Sequence, residues 1–208
     1  MNQCKVQLSD TFDIIGTQKL YNMVKCWKYL LQQGKMIYGS EFILTKQHKS
    51  VLYQLLIYAI EDQKGLNKLT LDPQKGILLM GAPNTGKTAM MRLVKPFFAR
   101  KKQYEIKTCR ALSQEFALKG YEMIAPLLAT NAKAIVLDNL GKENIAKHYG
   151  QSCDVTHNIV EHFYEQRHDL TYPRLHITTT LSPSEIERKY GIGFRKMLNE
   201  LFNVIICE

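Results

Sequence analysis

The sequence has little that would build a wall, a staple or a metal cage. Among its 208 residues there is one tryptophan and there are six prolines. Five cysteines (Cys4, Cys26, Cys109, Cys153 and Cys207) are odd in number, scattered and never spaced Cys-x-x-Cys. That excludes a zinc ribbon and a disulfide framework and reads as free thiols in a reducing compartment. No apolar run reaches the eighteen or so residues that cross a bilayer. The longest, residues 51–60, is interrupted by Gln54. The first ten residues carry no positive-then-apolar signal layout, so the sequence predicts a cytoplasmic protein with no membrane partner. Acids are also scarce. Lys plus Arg is 28 against 19 for Asp plus Glu, a balance of 28 − 19 = +9. That excess favours a polyanion, either nucleic acid or an anionic membrane surface, and charge alone does not choose between them. Hydrophobic residues at 45% exclude wholesale disorder. At about 150 residues per domain, the length predicts one domain with an appendage.

No repeat or low-complexity segment is present. Residues 1–72 read as mostly helical. Leu20, Met23, Val24, Trp27, Leu30 and Leu31 share one helical face, with Gly34 as the stop. A second helix is predicted over 50–62, with Val51, Leu52, Leu55, Leu56 and Ala59 on one side, and 64–71 reads as a connector. After Asp72-Pro73 short apolar strands alternate with helices. Strands are predicted at 77–80, 104–108, 133–137, 175–180 and 203–207, and helices from about 86 and over 110–118, 155–168, 183–190 and 194–202. Five strands alternating with helices predict an α/β three-layer sandwich on a parallel sheet. Functional loops then lie at the carboxyl ends of the strands.

Gly81-Ala82-Pro83-Asn84-Thr85-Gly86-Lys87-Thr88 matches G-x-x-x-x-G-K-T between a buried strand and a helix. The spacing has a mechanism. Bare backbone amides wrap a β-phosphate, the lysine neutralises β/γ charge, and the threonine hydroxyl takes Mg²⁺. Candidate ATP-binding residues are therefore Gly81 through Thr88, with Ala89 beside them. About fifty residues on, Ala134-Ile135-Val136-Leu137-Asp138 is an apolar strand ending in an acid. That is the place for the carboxylate that holds Mg²⁺ with Thr88.

The residues around these motifs are specific. Ile135-Val136-Leu137-Asp138-Asn139-Leu140-Gly141-Lys142-Glu143, together with Cys109-Arg110, Phe116 and Gly120-Tyr121, resembles the "DDLGxE" region of DnaC-like and IstB-like AAA+ ATPases. Ile177-Thr178-Thr179-Thr180-Leu181 is similar to their "TTNL" strand. The run from Glu185 to Tyr190-Gly191 is similar to their "E-x-x-x-x-YG", and Leu201 to Ile205 to their last strand. The resemblance covers about two-thirds of the chain, residues 75–207. It implies a P-loop NTPase core (AAA+/RecA-like) over 73–208 with a five-stranded parallel sheet. The helical region 1–72 would carry partner contacts, and no helical lid would follow the fifth strand.

Three positions depart from the family pattern. Asn139 stands where a second acid usually polarises the attacking water, and an amide can orient water without taking its proton. Glu143 is the nearest spare carboxylate. Thr180 replaces the sensor asparagine. Met197 occupies the arginine-finger position by count from Tyr190-Gly191, with Arg195 two residues earlier as a substitute in trans and Arg167 aligned with an arginine that faces the neighbouring subunit. The candidate catalytic set is Lys87, Asp138, Asn139, Glu143, Thr180 and Arg195. Other clusters read more plainly. His157, Glu161, His162 and Glu165 lie along one helix without visible facing ligands, which predicts a solvated face. Trp27 with Lys28, Tyr29 and Lys35 mixes bases and aromatics as nucleic-acid surfaces do, yet the apolar stripe favours packing for Trp27. Lys95, Arg100, Lys101 and Lys102 form the densest basic cluster, either a solvated loop or a phosphate-contact patch.

The leading expectation is an ATP-binding AAA+ protein that loads or remodels a replicative helicase, or helps a transposase, on single-stranded DNA. ATP would act as an assembly clamp between copies of the chain, with slow hydrolysis. Alternatives are a nucleotide-binding adaptor that has lost catalysis and, with less support, a small-molecule kinase. Against the kinase, no arginine-rich lid insert is visible.

Overall fold

The structure, a computed structural model, describes residues 6–208. A short 3₁₀ turn leads into a hairpin of β1 (Phe12–Ile15) and β2 (Gln18–Tyr21), then α1 (Met23–Tyr38), α2 (Lys46–Ile60) and α3 (Gln63–Leu69). The alternating portion follows as β3 (Gly76–Gly81), α4 (Lys87–Val94), β4 (Tyr104–Thr108), α5 (Cys109–Lys119), α6 (Ala125–Leu128) and β5 (Ala134–Leu140). A second hairpin, β6 (Ala146–His148) and β7 (Gln151–Cys153), precedes α7 (Val155–Glu165), β8 (Leu175–Thr179), α8 (Pro183–Tyr190), α9 (Ile192–Leu201) and β9 (Phe202–Cys207).

Five strands form one parallel sheet in the order β4-β5-β8-β3-β9. The inner strand β3 and the first four residues of β5 are apolar because both faces of the sheet are covered there. Ile77, Leu79, Val136 and Ile205 meet α1, α2 and α4 on one face. Leu78, Ile135, Leu137 and Ile177 meet α5, α7 and α9 on the other. Register brings the ends that matter to one edge, with Gly81 opposite Cys207, Met80 opposite Thr179 and Thr108 opposite Asp138. Val51, Leu52, Leu55, Leu56 and Ala59 of α2 belong to the same apolar cluster as β3 and β9. The helices of 1–72 thus close one face of the sheet.

The N-terminal reading needs correction in four places. Leu20 lies in β2, and α1 starts later, where the Asn22 side chain accepts the Lys25 N–H at 3.1 Å. Gly34 does not stop the helix. It sits inside α1, where a Cβ would come within 2.0 Å of the Phe42 ring, and the helix closes instead at Gly39 (φ +102°). The buried face of α1 is Cys26, Tyr29, Leu30 and Gly34, which leaves Val24 and Leu31 on the exposed side. The predicted connector 64–71 is mostly α3, whose Gly65 packs on Ile57. Neither hairpin was legible, because each pairs strands of only three or four residues. Cys26, Cys109, Cys153 and Cys207 are free and buried, and Cys4 lies outside the described residues. No described helix is long and apolar enough to cross a membrane.

A buried histidine sits within the core on the α2 face of the sheet. His176 in β8 is 1% exposed, and its Nδ1 accepts the N–H of Ile77 at 3.1 Å. The rings of Tyr58, Phe98 and Tyr104 enclose it at 6.2, 5.7 and 5.2 Å. Burial pulls its pKa down to about 3, so it is neutral in the fold. An unfolded histidine titrates near 6.5. Below that pH the unfolded chain gains a proton that the folded chain refuses. Stability is therefore complete above about pH 6.5 and falls by about 1.4 kcal/mol per unit below it. Unfolding free energies from urea titrations at about pH 7.5 and 5.5 are expected to differ by about 1.4 kcal/mol in the wild type and not in His176→Asn, whose amide oxygen keeps an acceptor for Ile77. An equal loss in both proteins would assign the acid sensitivity elsewhere.

Candidate functional site

The carboxyl edge of β3 turns into the phosphate loop at a point only glycine can occupy. Gly81 has φ +154°, and a Cβ there would sit 2.0 Å from the Cys207 carbonyl oxygen of β9. Asn84 (φ +64°) and Gly86 (φ +77°) complete the left-handed turns that aim the loop at the first turn of α4. Lys87 is 5% exposed. Its ammonium donates to the carbonyl oxygens of Gly81 (2.8 Å) and Ala82 (2.7 Å) and to Thr85 Oγ1 (3.0 Å). Burial lowers its pKa, while Cys207 and Asp138 pull the other way.

Asp138 ends the apolar part of β5, 2% exposed. Thr88 Oγ1 donates to its Oδ1 at 2.7 Å, and Thr178 Oγ1 of β8 donates to the same oxygen at 2.7 Å. Asn139 Nδ2 donates to Oδ2 at 3.1 Å, and the Asn139 N–H donates to Thr178 Oγ1 at 2.9 Å. Asn139 has φ +60° because β5 bulges between Leu137 and Leu140, a conformation that Asn and Asp tolerate better than longer side chains. Thr88 and Asp138 together offer a hydroxyl and a carboxylate oxygen, the hard donors Mg²⁺ takes. Thr178 belongs to the "TTNL"-like run, which by itself gives it no role. Strand alternation places it beside His176 on the α4 face, and that parity was the available signal.

Above this pair lies a cavity of about 490 Å³ lined by residues 83–89, Asn139 and Thr180. Tyr38, Arg92 and Lys142 also line it, and no local sequence signal marked them. Tyr38 comes from the last turn of α1, is 41% exposed and stacks on Phe42 with ring centroids 5.5 Å apart. The contact that Gly34 makes possible is therefore what seats this aromatic pair beside the phosphate loop. Among the described residues, no carboxylate lines the cavity wall.

The remaining candidates are placed away from it. Glu143 is buried, with Oε2 accepting the Gly141 N–H at 2.9 Å and Oε1 accepting the Tyr190 hydroxyl and facing Lys189 at 3.3 Å. Both oxygens are committed, Oε2 within the β5 loop and Oε1 in joining that loop to α8. Arg195 pairs with Glu187 at 2.6 Å on the outside of α8 and α9. Arg167 lies over the Tyr164 ring at 3.9 Å and reaches Glu200 at 3.5 Å, near Gln74 and Gly76 at the opposite sheet edge. Met197 is partly buried against the second core cluster. Lys102 of the dense basic cluster is neutralised by Glu61 at 2.6 Å. Trp27 packs against the first cluster and Tyr29 is buried in it. Among the described residues, no three of His, Cys, Asp and Glu gather as metal ligands.

In fold the chain is similar to the DnaC helicase loader, with a TM-score of 0.54 at 14% identity over 88% of this chain and 99% of that one. The chain shares the fold of that protein. It is also similar to AMPPCP-bound DnaA from Aquifex aeolicus, with a TM-score of 0.50 at 16% identity, over 80% of this chain and 48% of that one. No family model and no curated protein matches the sequence.

Proposed function

We propose that the chain is an ATP-binding AAA+ protein that acts on DNA as a replicative helicase loader or DNA-remodelling helper. The observation that carries this reading is the complete phosphate loop joined to the Thr88–Asp138 pair on a DnaC-like fold. In this reading the Lys87 ammonium exchanges its loop carbonyls for phosphate oxygens, the amides of 83–88 wrap the phosphates, and Arg92 and Lys142 add positive charge. Mg²⁺ held by Thr88 and Asp138 would supply further charge neutralisation. Thr178 and Asn139 keep the Asp138 carboxylate oriented, and Tyr38 offers its face to the base. ATP then serves as a clamp between copies of the chain, and residues 1–72 present surface to the helicase or transposase partner.

A cavity wall without a carboxylate favours slow turnover, and it is also what supports the second reading, an adaptor that binds nucleotide without hydrolysing it. Sedimentation of the full chain with no nucleotide, with Mg-ADP and with Mg-ATP tests the clamp. Assembly is expected with Mg-ATP, together with tighter binding of single-stranded DNA, because joined subunits engage one strand at several points. A chain that stays monomeric at all three, or that transfers labelled phosphate to a nucleoside, would overturn the proposal.

A further inference from the structure

The charge of this protein is unevenly spread. Residues 14–60 hold Lys19, Lys25, Lys28, Lys35, Lys46 and Lys49 and a single acid, Glu41, a balance of 6 − 1 = +5 within a total of +9. Three of these lysines stand on one exposed side of α1. Lys25, Lys28 and Lys35 line the same groove, about 1260 Å³ in volume, with Leu31 and Met36 of α1 and Phe12 of β1 as apolar parts of its wall. Ten residues of helix place Lys25 and Lys35 about 15 Å apart along the axis. None of the three makes an ion pair among the described residues. Lys19, on a neighbouring hollow, lies over the Phe12 ring at 4.2 Å. Two acids also face the groove. Asp10 is occupied by the Gln7 N–H at 2.8 Å, and Asp13 stands on the wall across from α1.

We infer that this groove is a track for single-stranded nucleic acid, with phosphates along the α1 lysines and bases against Phe12, Leu31 and Met36. Cations on one wall and apolar groups below them are what a single strand needs, since backbone charge and base faces are read without regard to sequence. A strand whose phosphates follow α1 turns them away from Asp13. A flat anionic membrane would have to meet both walls at once. The cluster at residues 95–102 is the weaker candidate, because Lys102 already spends its charge on Glu61. The inference rests on the DNA role proposed above and locates its contact on the N-terminal helix, away from the phosphate loop.

Anisotropy of a labelled oligo-dT, titrated with the full chain from about 50 to 300 mM salt, tests it. Each lysine that contacts a phosphate contributes about 0.7 to the slope of log K against log salt. The triple variant Lys25→Gln, Lys28→Gln, Lys35→Gln is expected to lose about 2 from that slope and to bind about a hundredfold more weakly at low salt. Its thermal unfolding and Mg-ATP affinity should stay unchanged. A slope unaltered in a folded triple variant overturns the track and leaves the DNA role standing. Failure of the wild type to bind DNA at low salt while it still binds ATP removes the DNA role itself. If poly-glutamate of equal charge displaces the DNA as effectively as unlabelled oligo-dT, the groove reads acidic protein and the inference falls.

Discussion

Replacing Lys87 by alanine is expected to weaken Mg-ATP binding about ten- to a hundredfold. The ammonium is held by two carbonyls and a hydroxyl at 2.7–3.0 Å, in a pocket closed by the Gly81 turn. Those partners keep it charged against the burial that lowers its pKa. Phosphate oxygens would replace these partners by stronger, charge-assisted ones, each worth about 1.5–3 kcal/mol. Lys87→Arg should not rescue binding, because a planar guanidinium cannot sit as a point donor between the Gly81 and Ala82 carbonyls. The check is a titration of a fluorescent ATP analogue against wild type and both variants, with thermal unfolding to show that they fold. Equal dissociation constants for wild type and Lys87→Ala would remove nucleotide from the site.

Why these parts of the protein were legible, and others not, follows from the range of the forces involved. The phosphate loop is local. Its glycines, lysine and threonine are fixed by steric and charge demands within eight residues, so spacing alone located it, and the apolar strand ending at Asp138 was located the same way. Strands β3 and β5 were legible because the middle of a sheet covered on both faces must be apolar. The site's other members depend on contacts between distant segments. Tyr38 reaches the cavity because Phe42 folds back onto Gly34, and no periodicity within α1 signals that return. Gly34 reads as a helix stop on propensity, whereas tertiary packing against the Phe42 ring determines its place. Glu143 looks like spare acid by its distance in sequence from Asp138. Its fate is set by Tyr190 and Lys189, more than forty residues away. The hairpins at 12–21 and 146–153 are too short for alternation to outweigh their polar residues.

Asn139→Asp is expected to raise phosphate release by tenfold or more under conditions that allow assembly, from a slow wild-type rate. Asn139 lines the cavity beside Thr180 and can orient a water there, but its amide cannot take the proton. A positioned general base contributes about 10²–10⁴ in rate. Aspartate is the right replacement because the residue sits at φ +60°, where Asp is tolerated and the longer Glu pays about 1–2 kcal/mol. The substitution exchanges the 3.1 Å donation from Asn139 Nδ2 to Asp138 for two neighbouring carboxylates. Their repulsion lifts the new acid's pKa toward working pH, which suits a base, while Thr88 and Thr178 still steady Asp138. Adding Met197→Arg should not help, since Met197 is partly buried against the second core cluster and a cation there would have to leave water. A trans arginine would have to come from Arg195 or Arg167, each of which must first release Glu187 or Glu200. Glu143→Gln serves as the control. It should lower the melting temperature by weakening the link to Tyr190 and Lys189, and leave the rate of the Asn139→Asp variant within about twofold. A brisk wild-type rate, unchanged by Asn139→Asp and abolished by Glu143→Gln, would instead make Glu143 the base and require the β5–α8 link to open during turnover.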